Sequence, residues 1–258
     1  MAGSISDYLE NELLDHVLGN GVFTVPTDIY LGLFTDACTD ASPGTEVTGG
    51  SYARVAHNSW TAASSRAISN SGSATFTQAS ASWGTVTYVG IFDAVTGGNY
   101  LGWSDLTTPR TINNGDTAQF ASGDIDISFL TGGFTTVLAD KLLDHVFKTA
   151  SYTPEATWLA LYTVTPSDAG GGTEVTGGSY AREQVTAWDA AAAGASANTN
   201  PITFTQATGA WGTVVAFAIL SAVTAGNMNL WGPVDTSKAV ASGETASWPA
   251  GALDITLD

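Results

Sequence analysis

The chain is predicted to be mainly β: two tandem antiparallel β-sandwiches, jelly-roll-like, each preceded by a short α-helix. Three observations predict this. Gly44–Arg54 (GTEVTGGSYAR) returns letter for letter at Gly172–Arg182, a shift of 128 residues. Each copy opens with leucines spaced four apart, the stripe of an amphipathic helix. The remainder is short runs rich in β-branched and aromatic residues, divided by Gly, Asn and Ser turns, which is the pattern of small sandwiches.

The repeat is long enough to be a domain rather than a solenoid unit. The same shift aligns Pro26 with Pro154, Trp83–Val86 with Trp211–Val214, and Gly123 with Gly251. The domains are therefore expected at 1–130 and 131–258, joined at Leu130-Thr131-Gly132-Gly133, where glycines loosen the link.

The first helix carries Leu9, Leu13 and Val17 and is stopped by Gly19-Asn20-Gly21, which supply left-handed geometry. The second carries Leu138, Leu142 and Val146. Its pentapeptide Leu142–Val146 matches Leu13–Val17 at a shift of 129, so one residue was gained or lost after the helix. Ile29, Leu31 and Leu33 alternate as a strand, and Leu159 and Leu161 repeat the beat. Thr85–Phe92, the turn Thr96–Asn99 and Tyr100–Trp103 predict a hairpin, and Val214–Leu220 predicts its strand in the second copy. Asn113–Asp116 is a second hairpin signal. Ile125–Phe129 and Leu253–Leu257 are the closing strands.

Composition excludes several classes. There are 24 Asp and Glu against 7 Lys and Arg, a net charge of −17, and the cations stand singly. Nucleic-acid binding needs clustered cations, so neither nucleic acid nor an anionic membrane is an expected partner. Cys38 is the single cysteine and its twin is Pro166, so neither an internal disulfide nor a cysteine zinc site is expected. The start has no cationic flank or apolar run, and no segment reaches a membrane-spanning length, so synthesis in the cytoplasm without export by the general secretory route is expected.

The second copy serves as a control for chemistry. His57 is matched by Val185, so a histidine-centred base there would exist once at most. His16 and His145 are matched, each in the last turn of its helix, where a histidine can stabilise the negative end. Asp93–Asn99 offers oxygens in a glycine loop. Its twin begins with Ser221 and has Ala225, so a tight turn explains it better than a calcium site. No nucleophile, base and electrophile assemble, and neither an enzyme nor a cofactor is expected: catalytic residues, none; metal ligands, none.

Glu46 and Arg54 recur as Glu174 and Arg182. In so weakly charged a chain this pair is a candidate for fixing the intervening turn or for contacting a neighbouring subunit, since the planar guanidinium suits both. All eight tryptophan positions are aromatic in both copies. Core packing is the expected role, with Trp60 and Trp188 as the candidate aromatic surface.

The order of motifs then carries a resemblance. It runs Leu-Leu-Asp-His-Val, Gly44–Arg54, Phe-Thr-Gln-Ala, Trp-Gly-Thr-Val, Gly-Gly-Asn and a Gly-Asp-Thr turn. The chain resembles the small virion structural proteins of tailed bacteriophages, commonly labelled phage tail fibre or virion protein, here as a tandem duplication. The resemblance implies a virion location. Its partners would be other virion proteins, either the major capsid protein or tail proteins, together with further copies of the chain. With no heptads or β-helix period, a capsid decoration protein is the leading expectation. A tail fibre, tail-tip or baseplate accessory contacting a host glycan or receptor is the alternative.

Overall fold

The computed structural model describes residues 3–129, 133–148 and 150–257. The join expected at 130–133 lies, Gly133 apart, outside the described residues. The first repeat gives β1 (Gly3–Ile5), α1 (Asp7–Leu18), β2 (Tyr30–Phe34), β3 (Val55–Ala56), β4 (Ala67–Ser69), β5 (Ala74–Thr75), β6 (Gly84–Phe92), β7 (Tyr100–Ile112), β8 (Gln119–Phe120) and β9 (Asp126–Ser128). The second gives α2 (Thr136–Lys148), β10 (Thr157–Val164), β11 (Thr173–Glu174), β12 (Glu183–Val185), β13 (Ala195–Ala197), β14 (Ile202–Thr203), β15 (Gly212–Leu220), β16 (Met228–Val240), β17 (Ser247–Trp248) and β18 (Asp254–Thr256). The fold is mainly β, with a short helix near the start of each copy, and its strands pair antiparallel. The exception is β1 against β9, which run parallel.

The repeats are units of sequence; the units of packing draw on both. One compact unit consists of Met1–Glu10, Thr24–Leu130 and Asp140–Tyr152. Its strands bond in the order β3-β2-β6-β7-β1-β9-β4, with β5 and β8 paired apart. Helical turns from the second repeat complete it. Asp140 accepts the Arg66 N–H at 2.7 Å, Asp144 accepts the Ala63 N–H at 2.9 Å, and Phe147 packs on Trp60 with ring centres 4.8 Å apart.

The other unit consists of Asn11–Phe23, Thr131–Ala139 and Thr153–Asp258. Its sheet runs β11-β10-β15-β16 with β12 also on β10, and β13–β18 and β14–β17 form ribbons. Here Asn11 accepts the Gly194 N–H at 2.9 Å and Asp15 the Ala191 N–H at 2.7 Å. The helices can serve in this way because they are apolar on more than the predicted stripe. Leu14 and Leu18 in α1, and Leu143 and Phe147 in α2, are buried as well. A helix with that much apolar surface needs more than one packing partner.

The helix starts are capped by side chains. The Leu9 N–H bonds to Ser6 Oγ at 3.3 Å and the Leu138 N–H to Thr135 Oγ1 at 3.4 Å, meeting donors that the helix cannot satisfy internally. The β6–β7 hairpin forms as predicted. Asn113–Asp116 does not make a hairpin. It is a tight turn with Gly115 at φ +90, but β7 pairs with β6 and β1 whereas β8 pairs with β5. A turn signal fixes a reversal without deciding which sheet the next strand joins.

Two buried asparagines, both 0% exposed, organise the loops at the closing strands. Asn70 donates to the Gly72 and Ala121 carbonyls and accepts the Ile125 N–H; Asn198 does the same with Asn200, Pro249 and Leu253. Each amide thus spends both its donors and its acceptor, which removes the cost of burial.

The two sheets are packed by compensating volumes. In the first unit Phe34 and Phe92 stack at 5.9 Å over Gly90, where a Cβ would lie 2.6 Å from Phe34. At the matching positions the second unit has Tyr162, Leu220 and Ala218: the smaller Leu220 stands for Phe92 and leaves room for a methyl group. Native packing density demands such exchanges.

Candidate functional site

The retained Glu–Arg pair closes on its own chain. Arg54 Nε and Nη2 donate to the two Glu46 oxygens at 2.8 Å each, and Nη1 donates to the Ala94 and Gly97 carbonyls at 3.1 and 2.8 Å. The guanidinium also lies 3.4 Å above the Phe92 ring. Tyr52 donates to Glu46 and accepts the Leu33 N–H, both at 2.8 Å, and burial holds its phenol well above the usual range. In the second unit Arg182 makes the same four bonds, to Glu174, Ala222 and Ala225, and its hydrogen bond to Glu174 raises its pKa. Four donors on each guanidinium are therefore spent within the chain, tying the Glu46 or Glu174 loop to the turn of the long hairpin rather than only to the intervening turn.

Trp60 and Trp188 do not form an aromatic surface. Each is 5% exposed. Their N–H groups donate at 3.1 Å to the His57 carbonyl and to Thr157 Oγ1. Phe147 of the second helix packs on the Trp60 ring with centres 4.8 Å apart, a contact that sequence spacing does not reveal. Trp83 and Trp211 donate to the Gly50 and Gly178 carbonyls, and Trp103 and Trp231 to Asp40 and Asp168. These six indoles act as internal cross-links.

The histidines hold backbone. The Phe23 N–H lies 3.2 Å from His16 Nδ1 and the Tyr152 N–H 3.1 Å from His145 Nδ1, which is also 3.1 Å from the Ala150 carbonyl. They fix the chain leaving the helix. His57 lies 2.8 Å from the Ser59 carbonyl through Nε2, and burial lowers its pKa, favouring the neutral ring. Cys38 is buried with its Sγ 2.8 Å from the Pro43 carbonyl, and burial pushes its thiol up to about 12. Asp93 accepts the Asn99 backbone and side-chain N–H groups at 2.6 and 2.7 Å, which closes the hairpin turn. Among the described residues no group of three or more His, Cys, Asp or Glu is placed to hold a metal ion, and no helix is long and apolar enough to cross a membrane.

One feature of both units was missed from the sequence. Each carries an open cleft between the far half of its long hairpin strand and the segment after it. The first, about 510 Å³, is lined by Leu33, Val86, Arg110, Ile112 and Phe120 among others. The second, about 320 Å³, is lined by Leu161, Val214, Lys238, Val240 and Trp248. These positions correspond pairwise at the shift of 128. Arg110 stands opposite Val86 in the ladder and Lys238 opposite Val214, so each cation shares a sheet face with a buried valine. Both cations are exposed, and among the described residues neither head group has a hydrogen bond or ion pair. The available signal was a cation at matched positions in a chain with few of them.

A family model described as podophage GP4 fiber I protein gp80 matches the chain twice, over residues 4–128 and 133–256. No curated protein matches it.

Proposed function

The chain belongs to the podophage GP4 fiber I protein family, and from that premise we propose that it is a non-enzymatic component of the fibre apparatus of the virion, held by protein–protein contacts with other virion proteins and with further copies of itself. The observation that carries the reading is the double match, one for each repeat. The chemistry of the side chains supports it. The matched polar groups with catalytic potential are engaged in structure, Arg54 and Arg182 on loops and His16 and His145 on backbone, and the unmatched Asp93 closes a turn. Two compact β units in an acidic chain suit a part that is assembled rather than one that turns over a substrate.

The family description favours the fibre reading over the capsid-decoration expectation. One observation still favours capsid decoration: among the described residues the helices are only 12 and 13 residues long, with no heptad shaft. Gold-labelled antibody against the protein, applied to purified virions, separates the two. Label on the tail or its fibres is the expected result, and label spread over the head would transfer the assignment to capsid decoration. A protein abundant in the lysate but absent from intact particles would overturn the virion role.

A further inference from the structure

We propose that the paired clefts are two equivalent binding sites for an acidic saccharide, with Arg110 and Lys238 meeting its carboxylate. The inference rests on the clefts alone and stands whichever part of the virion holds the chain.

Four observations lead to it. First, the clefts occur at matched positions in both units, so whatever formed the site was kept, or formed, twice. Second, each has a cation whose head group has no hydrogen bond or ion pair among the described residues, while Arg54 and Arg182 each commit four donors elsewhere. Guanidinium and ammonium share little beyond positive charge, so their exchange between copies marks recognition of an anion rather than of a particular hydrogen-bonding fork. Third, the lining pairs hydroxyls with an apolar face: Thr107, Thr108 and Phe120 in the first cleft, Thr236, Ser247 and Trp248 in the second. A sugar ring presents that combination, hydroxyls at its edge and C–H groups on its face. Fourth, both volumes fall within the range of small-ligand sites, about 300–1,000 Å³.

Charge narrows the ligand further. The chain's net charge of −17 repels polyanions, and Asp124 lines the first cleft as Asp235 and Glu244 line the second. A single carboxylate on an otherwise neutral sugar, as in uronic and sialic acids, is tolerated where a dense run of phosphates is not. The second cleft, smaller and flanked by two acids, is the weaker site.

The test is titration of the full-length protein with a panel of uronic- and sialic-acid oligosaccharides, beside their neutral counterparts, followed by calorimetry or saturation-transfer NMR. The expected result is binding of at least one acidic saccharide at two sites per chain, weakened by added salt and absent for the neutral partner. Arg110→Gln and Lys238→Gln should each remove one site, and the double variant both, by roughly tenfold or more in affinity for each lost charge contact. Unchanged thermal unfolding of these exposed-site variants confirms that the fold is intact. If no acidic saccharide binds better than its neutral partner, or if the double variant binds as well as the parent, the proposal is overturned. Displacement of the saccharide by a short poly-glutamate peptide of equal or higher affinity would likewise overturn it, in favour of a protein ligand.

Discussion

Replacing Asp140 and Asp144 together by alanine should loosen the first repeat, although both residues lie in the second. The carboxylates accept the Arg66 and Ala63 amides at 2.7 and 2.9 Å, at a turn where Ser65 and Arg66 hold φ of 55 and 68. Non-glycine residues in that region are held only by their surroundings. Loss of a capping acceptor costs about 1 kcal/mol, so the pair together contributes about 2 kcal/mol to local order, roughly thirtyfold in opening. Hydrogen exchange read by mass spectrometry or NMR should therefore show amides 63–69 exchanging roughly thirtyfold faster. Amides 191–197 should be unchanged. The reciprocal variant, Asn11→Ala with Asp15→Ala, should loosen 191–197 and spare 63–69. Protection lost in the variant's own repeat would refute the exchange of helical turns, because an unexchanged helix would cap the turn of its own copy.

Two further outcomes follow from the packing. Arg54→Ala strands a part-buried carboxylate and frees two carbonyls, and should lower stability by about 3 kcal/mol in chemical denaturation. Arg54→Lys should recover little of it, since an ammonium cannot hold two carboxylate oxygens and two carbonyls at once; a lysine variant as stable as the parent would contradict the geometry. Ala225 sits at φ 53 where the first copy has Gly97 at φ 61. A Cβ at Gly97 would meet nothing within 4 Å, so the strain is in the backbone alone. Ala225→Gly should then stabilise by about 0.5–1 kcal/mol, visible as a rise of about 2–4 °C in the melting temperature.

Much of the fold was legible because it is local. Four-spaced leucines gave the helices, and Gly-Gly-Asn between β-rich runs gave the β6–β7 hairpin. The Glu46–Arg54 pair was legible as a unit because it repeats intact, yet its partners Ala94 and Gly97 lie some forty residues away and could not be read off. Asn113–Asp116 shows the same boundary: the turn was visible and the pairing of β8 was not. Trp60 is a candidate for an aromatic surface in the sequence, and Phe147 packs against it. The clefts escaped notice because the walls of each come from four separated stretches.

The duplication, the strand-and-turn texture and the acidic balance are properties of the sequence itself, since they are set by periodicity and composition and hold in any packing. Tertiary structure decided which helix turns complete which unit. Asp15 and Asp144 occupy the same place in identical pentapeptides, and each could cap the turn of either copy. Two nearly identical surfaces offer nearly identical energies, so sequence pattern cannot choose between them. The choice falls to chain geometry and to the burial of Leu14, Leu18, Leu143 and Phe147 on the second helical face, which is a sum over many long-range contacts.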